Sequence, residues 1–140
     1  MFQPSREQVR DLFFGAWRKY RASEPLAGMD ALALQVILAH PEYHAALSAP
    51  ARFREKDYSD EANPFLHMSL HLALEEQLSI DQPPGISSLF DKLLQKTGER
   101  HAALHQAIEC LAGTLWRAQR DALAPDAAAY LACLERRAIS

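Results

Sequence analysis

The sequence contains few of the residues that favour β-strands. Its 140 residues include only two valines, five isoleucines and two threonines, against 24 alanines and 20 leucines. Alanine and leucine are strong helix formers, whereas β-branched side chains favour strands. We therefore predict an all-α fold, a compact bundle of about five to seven helices. Because 140 residues is the length of one ordinary domain, we predict a single helical domain over residues 1–140.

The sequence also lacks an excess of positive charge and any long apolar run. Its 15 basic and 18 acidic residues give a net charge of -3, which leaves no broad basic face for binding phosphates. No apolar run reaches the roughly 18 residues of a transmembrane helix, and residues 1–6 lack the pattern of a secretory signal peptide. We expect a cytoplasmic protein that binds neither nucleic acid nor membrane.

Several motifs of enzyme families are missing. There is no glycine-rich phosphate loop and no Gly-x-Ser-x-Gly motif, and no histidine is followed by the glutamate of the His-Glu-x-x-His zinc-protease helix. The two cysteines, Cys110 and Cys133, could form a bridge or remain reduced core thiols. In a cytoplasmic protein such cysteines are more often reduced core thiols, and we expect that here.

Hydrophobic spacing, capping residues and prolines predict seven helices. Ser5 and Gln8 form a capping box before the first helix, and Asn63 followed by Pro64 is typical of a helix start. Residues 48–62 are charged and show no helical or strand period, so we predict an exposed connection there. The predicted helices cover residues 5–22, 29–39, 41–47, 64–80, 86–96, 99–123 and 127–137.

All six histidines occur in pairs with the spacing His-x-x-x-His. The pairs are His40 and His44, His67 and His71, and His101 and His105. Six histidines placed at random in this chain would give only about 0.2 such pairs. On an α-helix, residues four apart differ by about 40° in direction and about 6 Å in height, so two such imidazoles can bind one ion.

Two of the pairs are followed, four residues later, by a glutamate. The resulting His-x-x-x-His-x-x-x-Glu pattern places the carboxylate one turn further along the same side of the helix. Imidazole and carboxylate donors suit divalent transition metals, and eight candidate ligands exceed the four of a closed zinc site. We therefore predict non-haem iron, in a centre of one or two ions, in preference to zinc. The predicted ligands are His40, His44, His67, His71, Glu75, His101, His105 and Glu109.

Residues 63–86 form a distinctive stretch, NPFLHMSLHLALEEQLSIDQPPGI. Together with residues 2–6, 40–44 and 126–131, it resembles a family of small proteobacterial proteins known only as a domain of unknown function. The resemblance covers nearly the whole chain and includes the three histidine pairs, but it implies no activity, substrate or cofactor. A looser likeness, to hemerythrin-like helical bundles, depends on ligand type alone.

Two functions from different classes remain open at this point. The first is a helical-bundle metalloprotein, which as an enzyme would be a non-haem metal-dependent oxidoreductase or hydrolase. The candidates for supporting the ligands or transferring protons beside the metal are then Tyr43, Glu42, Glu76 and Gln77. The second is a non-catalytic interaction module, in which the histidines are core hydrogen-bonding groups and residues 81–86 form an exposed docking loop. The sequence identifies neither a substrate nor an oligomeric state, and a protein partner or a homodimer is compatible with both functions.

Overall fold

A computed structural model describes residues 5–58 and 63–139. These residues form eight α-helices and one 3₁₀ turn, and they contain no strand, which confirms the all-α prediction. None of the helices in this part of the chain combines the length and the apolar character needed to cross a bilayer. The elements are α1 (Arg6–Arg21), α2 (Met29–Leu38), the 3₁₀ turn (Pro41–Tyr43), α3 (His44–Leu47), α4 (Pro50–Phe53), α5 (Pro64–Ile80), α6 (Ile86–Thr97), α7 (Arg100–Asp121) and α8 (Ala127–Ile139).

The chain divides into two compact units, Met1–Leu72 and Ala73–Ser140. The boundary lies within α5, so this helix contributes its first half to one unit and its second half to the other. The first unit also contains α1 to α4, and the second contains α6 to α8. The single domain over residues 1–140 stays a prediction.

The first unit is built around the packing of α1 against α2. The predicted capping box is confirmed, because the Ser5 hydroxyl accepts a hydrogen bond from the Gln8 amide and the Gln8 side chain accepts one from the Ser5 amide. These bonds satisfy amide groups that have no partner within the helix. Apolar residues of α1, α2 and the start of α5 then form one core. Its most deeply buried members are Phe13, Ala16, Ala33, Ile37 and Met68.

The connection after α3 is more ordered than its sequence predicts. It is largely exposed, as expected, but it contains the short helix α4, and Tyr58 is buried. Arg10, which is only 2% exposed, donates hydrogen bonds to the carbonyls of Arg54 (2.9 Å) and Lys56 (2.7 Å). Burial lowers the pKa of Arg10. A polar side chain of α1 therefore orders this segment, and residues 59–62 of the predicted connection lie outside the described part of the chain.

In the second unit α8 packs against both α6 and α7, with Ile86, Leu93 and Leu134 buried. A disulfide bond joins Cys110 of α7 to Cys133 of α8, so the prediction of reduced thiols is wrong. The packing of α7 on α8 brings the two Cα atoms to 5.8 Å, a separation that a disulfide spans. Cysteine content and an expected compartment could not reveal this proximity.

In the turn between α5 and α6, a carboxylate is hydrogen-bonded to backbone amides of the turn and of α6. The Asp81 carboxylate accepts hydrogen bonds from the backbone amides of Ser87 (3.0 Å) and Gly85 (3.2 Å). These bonds hold the pKa of Asp81 below its usual value. Ile86, at the end of the turn, is fully buried. The end of the distinctive 63–86 stretch therefore has a structural explanation: Asp81 caps α6, and Ile86 anchors its first turn in the core.

Candidate metal centre

His40 lies at the break between α2 and the 3₁₀ turn. The residue before a proline disfavours the helical conformation, and Pro41 accordingly ends α2, leaving His40 at φ -130° and ψ 66°. The ring is 1% exposed, and its Nδ1 lies 2.7 Å from the Val36 carbonyl oxygen. Because a carbonyl can only accept, Nδ1 is the donor, and Nε2 bears the lone pair of the neutral ring. This tautomer is the one that metal-binding histidines adopt when a carbonyl holds the other nitrogen.

His67 and His71 occupy successive turns of α5, as their spacing predicts. Their Nε2 atoms are 3.2 Å apart and their ring centroids 4.7 Å apart. Two nitrogen ligands of a tetrahedral zinc ion, each bonded at about 2.05 Å, are separated by about 3.3 Å. The α5 pair therefore already has the nitrogen spacing of two ligands on one ion.

His40 completes a group of three rings within the first unit. Its centroid lies 4.4 Å from that of His71 and 5.0 Å from that of His67, with both contacts close to edge-on. One ring nitrogen from each of the three residues lies within 4.8 Å of the others. We call His40, His67 and His71 the histidine trio. It offers three ring nitrogens from two different segments.

Tyr43 borders the histidine trio. Its ring stacks on His40, with centroids 5.5 Å apart and planes within 9°, and it meets His67 edge-on at 6.4 Å. Burial raises the pKa of Tyr43, and the neighbouring Glu42 carboxylate raises it further. The phenol is therefore protonated at neutral pH, as the proton-transfer role considered for this residue requires. Gln77, another of the candidates, accepts a hydrogen bond from the Tyr130 hydroxyl at 2.7 Å in the second unit.

His44, the partner of His40 in the sequence, points elsewhere. Its Nε2 donates a hydrogen bond to the Ile37 carbonyl at 2.7 Å, and its ring stacks on Trp17 at 4.3 Å. The chain between His40 and His44 forms a 3₁₀ turn, so the side-by-side geometry of a continuous α-helix does not apply to this pair. The structure does not place His44 in the histidine trio.

Both predicted carboxylate ligands form ion pairs with arginines. Glu75, with 8% of its side chain exposed, binds Arg100 at 2.8 Å, and Glu109, with 63% exposed, lies 3.4 Å from Arg137. The sequence contained both arginines but no regular spacing that linked them to the glutamates. A carboxylate held by a guanidinium is a weaker candidate for a metal ligand, because its lone pairs already accept charge-assisted hydrogen bonds.

The third pair, His101 and His105, lies in the first two turns of α7. Its ring centroids are 4.2 Å apart, as expected for residues four apart on a helix, and both residues are partly buried. Glu99 caps this helix by accepting hydrogen bonds from the amides of Ala102 (2.7 Å) and His101 (3.0 Å). These bonds lower the pKa of Glu99. The cap therefore fixes the start of the helix beside His101.

Comparison with known proteins supplies a family but no activity. Residues 5–136 match the sequence model of a family described as a domain of unknown function, DUF1841. No curated protein and no solved structure matches the chain.

Proposed function

We propose that this chain, which belongs to the DUF1841 family of unknown function, binds a divalent transition metal through His40, His67 and His71. Membership confirms the resemblance to a family of uncharacterised proteins and brings no activity with it. The observation that carries the proposal is the approach of three ring nitrogens, from two segments, to within 4.8 Å of one another.

The tautomers support metal binding. Without metal, one N–H···N hydrogen bond can join the Nε2 atoms of His67 and His71. The Nδ1–H of His40 donates a hydrogen bond to the Val36 carbonyl, so the lone pair of this ring is on Nε2. A cation would be bound by the Nε2 lone pairs of all three rings at once, after the ring that donates this N–H···N bond has taken the tautomer with its proton on Nδ1.

The donor set narrows the choice of metal. Imidazole nitrogens suit zinc, iron, copper and nickel, and no ligand of the trio carries a charge. The preference for iron, and for a dinuclear centre, drew on Glu75 and Glu109, which are held by arginines. Iron therefore stays a prediction, as does the participation of His101 and His105. A metal bound by three imidazoles retains open positions, at which it can act as a Lewis acid or a redox ion.

Elemental analysis of untagged protein tests the proposal. We expect near-stoichiometric metal in the wild type, and cobalt(II) added after chelation should produce the visible absorption of a nitrogen-ligated ion. His71→Gln should abolish both signals, because it removes a buried member of the trio. His44→Gln is the matched control and should retain them, since the His44 ring faces Trp17. Circular dichroism of each variant verifies the fold.

Two results would overturn the proposal: a folded wild type that takes up none of these metals, or a folded His71→Gln variant that binds cobalt as well as the wild type. Either result would favour the second function, an interaction module with hydrogen-bonded core histidines. The observation in favour of that module is the set of internal hydrogen bonds that His40, His44 and the α5 pair can form without metal. Its proposed docking loop would then present the exposed Gln82 and Pro84 to a partner, since Asp81 binds the Ser87 amide and Ile86 is buried.

A further inference from the structure

A groove of about 640 Å³ opens on the first unit beside α1. Pockets for small organic molecules have volumes of roughly 300 to 1,000 Å³. Its apolar lining includes Phe14 and Leu47, which are largely buried, and Trp17. Three arginines line the groove, Arg18, Arg21 and Arg54, together with one carboxylate, Asp11. Apolar side chains beside an excess of guanidinium groups are suited to a molecule that has an apolar body and a negative charge.

The three arginines are not equivalent. Arg18 forms an ion pair with Glu24 at 3.0 Å, and Arg54 forms one with Asp11 at 2.5 Å. Among the residues that the structure describes, Arg21 forms no ion pair, and its Nη1 instead donates a hydrogen bond to a neutral group, the Ser48 hydroxyl, at 3.1 Å. The positive charge of Arg21 is therefore the one in the groove that no carboxylate balances.

Ser48 holds Arg21 in place. Its hydroxyl donates to the His44 carbonyl at 2.9 Å and accepts from both Arg21 and the indole N–H of Trp17, the latter at 2.9 Å. These three bonds use the hydroxyl as donor and as double acceptor. A guanidinium has five N–H donors in a planar fork, and this arrangement commits one of them to Ser48. The remaining donors of Arg21 are available for a bidentate bond to an oxyanion.

We propose that this groove binds a small organic oxyanion, a carboxylate or a phosphate monoester with a flat apolar body. The oxyanion binds Arg21, and the apolar body lies against the apolar lining formed by Phe14, Trp17 and Leu47. This site uses none of the histidine trio, so the proposal does not depend on the proposed metal centre. Arg18 and Arg54, already paired with carboxylates, contribute a weaker positive potential around the opening.

Titration of the full chain with phenyl phosphate and with benzoate tests this site. The indole N–H of Trp17 is the reporter in proton–nitrogen correlation spectra, because it donates a hydrogen bond to the same Ser48 hydroxyl that Arg21 contacts. We expect a saturable shift with at least one probe, and the tighter probe identifies the preferred oxyanion. Arg21→Gln should weaken binding by about tenfold or more, the effect of losing a charge-assisted bidentate contact. Arg117→Gln, the same charge change at an exposed position of α7, should leave binding unchanged.

The probes also separate the two parts of the proposed ligand. Phenol lacks the charge and inorganic phosphate lacks the apolar body, so each should bind more weakly than phenyl phosphate. Equal affinity of wild type and Arg21→Gln for the tighter probe would overturn the proposal, as would an absence of saturable binding by both probes. Inorganic phosphate binding as tightly as phenyl phosphate would overturn the assignment of an apolar body. Arg21 is exposed, so its replacement does not disturb the core.

Discussion

Helices α5 and α7 carry the same His-x-x-x-His-x-x-x-Glu pattern in different surroundings. In both, the two histidine rings lie close together, with centroids 4.7 Å apart in α5 and 4.2 Å apart in α7. The glutamates differ. Glu75 of α5 is buried and bound to Arg100, whereas Glu109 of α7 is exposed and only loosely paired with Arg137. Identical spacing has therefore produced the same local contact and different environments.

The comparison shows what a helical spacing can determine. Residues four apart on one helix must be neighbours, whatever surrounds that helix. Whether a histidine pair is buried, and which residue joins it as a third partner, depend on other segments of the chain. For the α5 pair that partner is His40, which reaches it because Pro41 ends α2 at this point. For the glutamates, the partners are arginines that no repeat in the sequence singles out.

The largest effect on stability is expected in the second unit, where α7, unlike α5, is covalently joined to another helix. Reduction of the Cys110–Cys133 bond should lower the free energy of unfolding by about 3 kcal/mol, the usual effect of a disulfide that closes a loop of this length. Urea unfolding with and without dithiothreitol measures it. The Cys110→Ser/Cys133→Ser variant should unfold like the reduced wild type and should not respond to the reductant. A wild type indifferent to dithiothreitol would show that the bond does not form in solution.

The contribution of the α7 pair to metal binding provides the next test. His67→Gln should weaken cobalt binding by about a hundredfold, or about 2.8 kcal/mol, since it removes a member of the trio. The sequence predicts that His105 is also a ligand, and His105→Gln should then weaken binding by at least about tenfold. Competition titrations of both variants measure these losses. Wild-type affinity in a folded His105→Gln variant would restrict the centre to the three histidines of the first unit.

The two glutamates should differ in their contribution to stability. Glu75→Gln removes the charge from a buried carboxylate and should lower the free energy of unfolding by about 1 to 2 kcal/mol, a value reduced because Arg100 is half exposed. Glu109→Gln disrupts an exposed, long ion pair and should change it by less than about 0.5 kcal/mol. Urea unfolding at low and high salt compares them. Similar losses for the two variants would mean that burial does not distinguish these glutamates.

The sequence predicted most of the helices because their signals are local. Helical period, the capping box at Ser5 and the start at Pro64 all depend on residues close together in the chain. Residues 5–58 and 63–139 contain one α-helix more than the sequence predicts, α4, and it lies in a segment without hydrophobic period that Arg10 of α1 helps to order. The disulfide was likewise missed, because it depends on a contact between α7 and α8.

The candidate site shows the same division between local and long-range information. The nearness of His67 to His71 follows from spacing alone. The separation of His40 from His44 required the geometry of the 3₁₀ turn, although Pro41 already indicated a break. The ion pairs of Glu75 and Glu109 could not be foreseen, because the arginines that bind them come from segments 25 and 28 residues away.

The smallest effects concern the carboxylates at the ends of these two helices, Asp81 after α5 and Glu99 before α7. Backbone hydrogen bonds lower the pKa of each in the folded protein. A lowered folded pKa means that the stabilisation is fully present above the unfolded values, about 3.9 for aspartate and about 4.3 for glutamate, and is lost as the pH falls through the folded pKa. Asp81→Asn and Glu99→Gln cannot titrate, so the stability of each variant should fall less steeply than that of the wild type below about pH 4. Urea midpoints measured across this range give the slopes. An unchanged slope in either variant would show that its carboxylate is not held by these amides in solution.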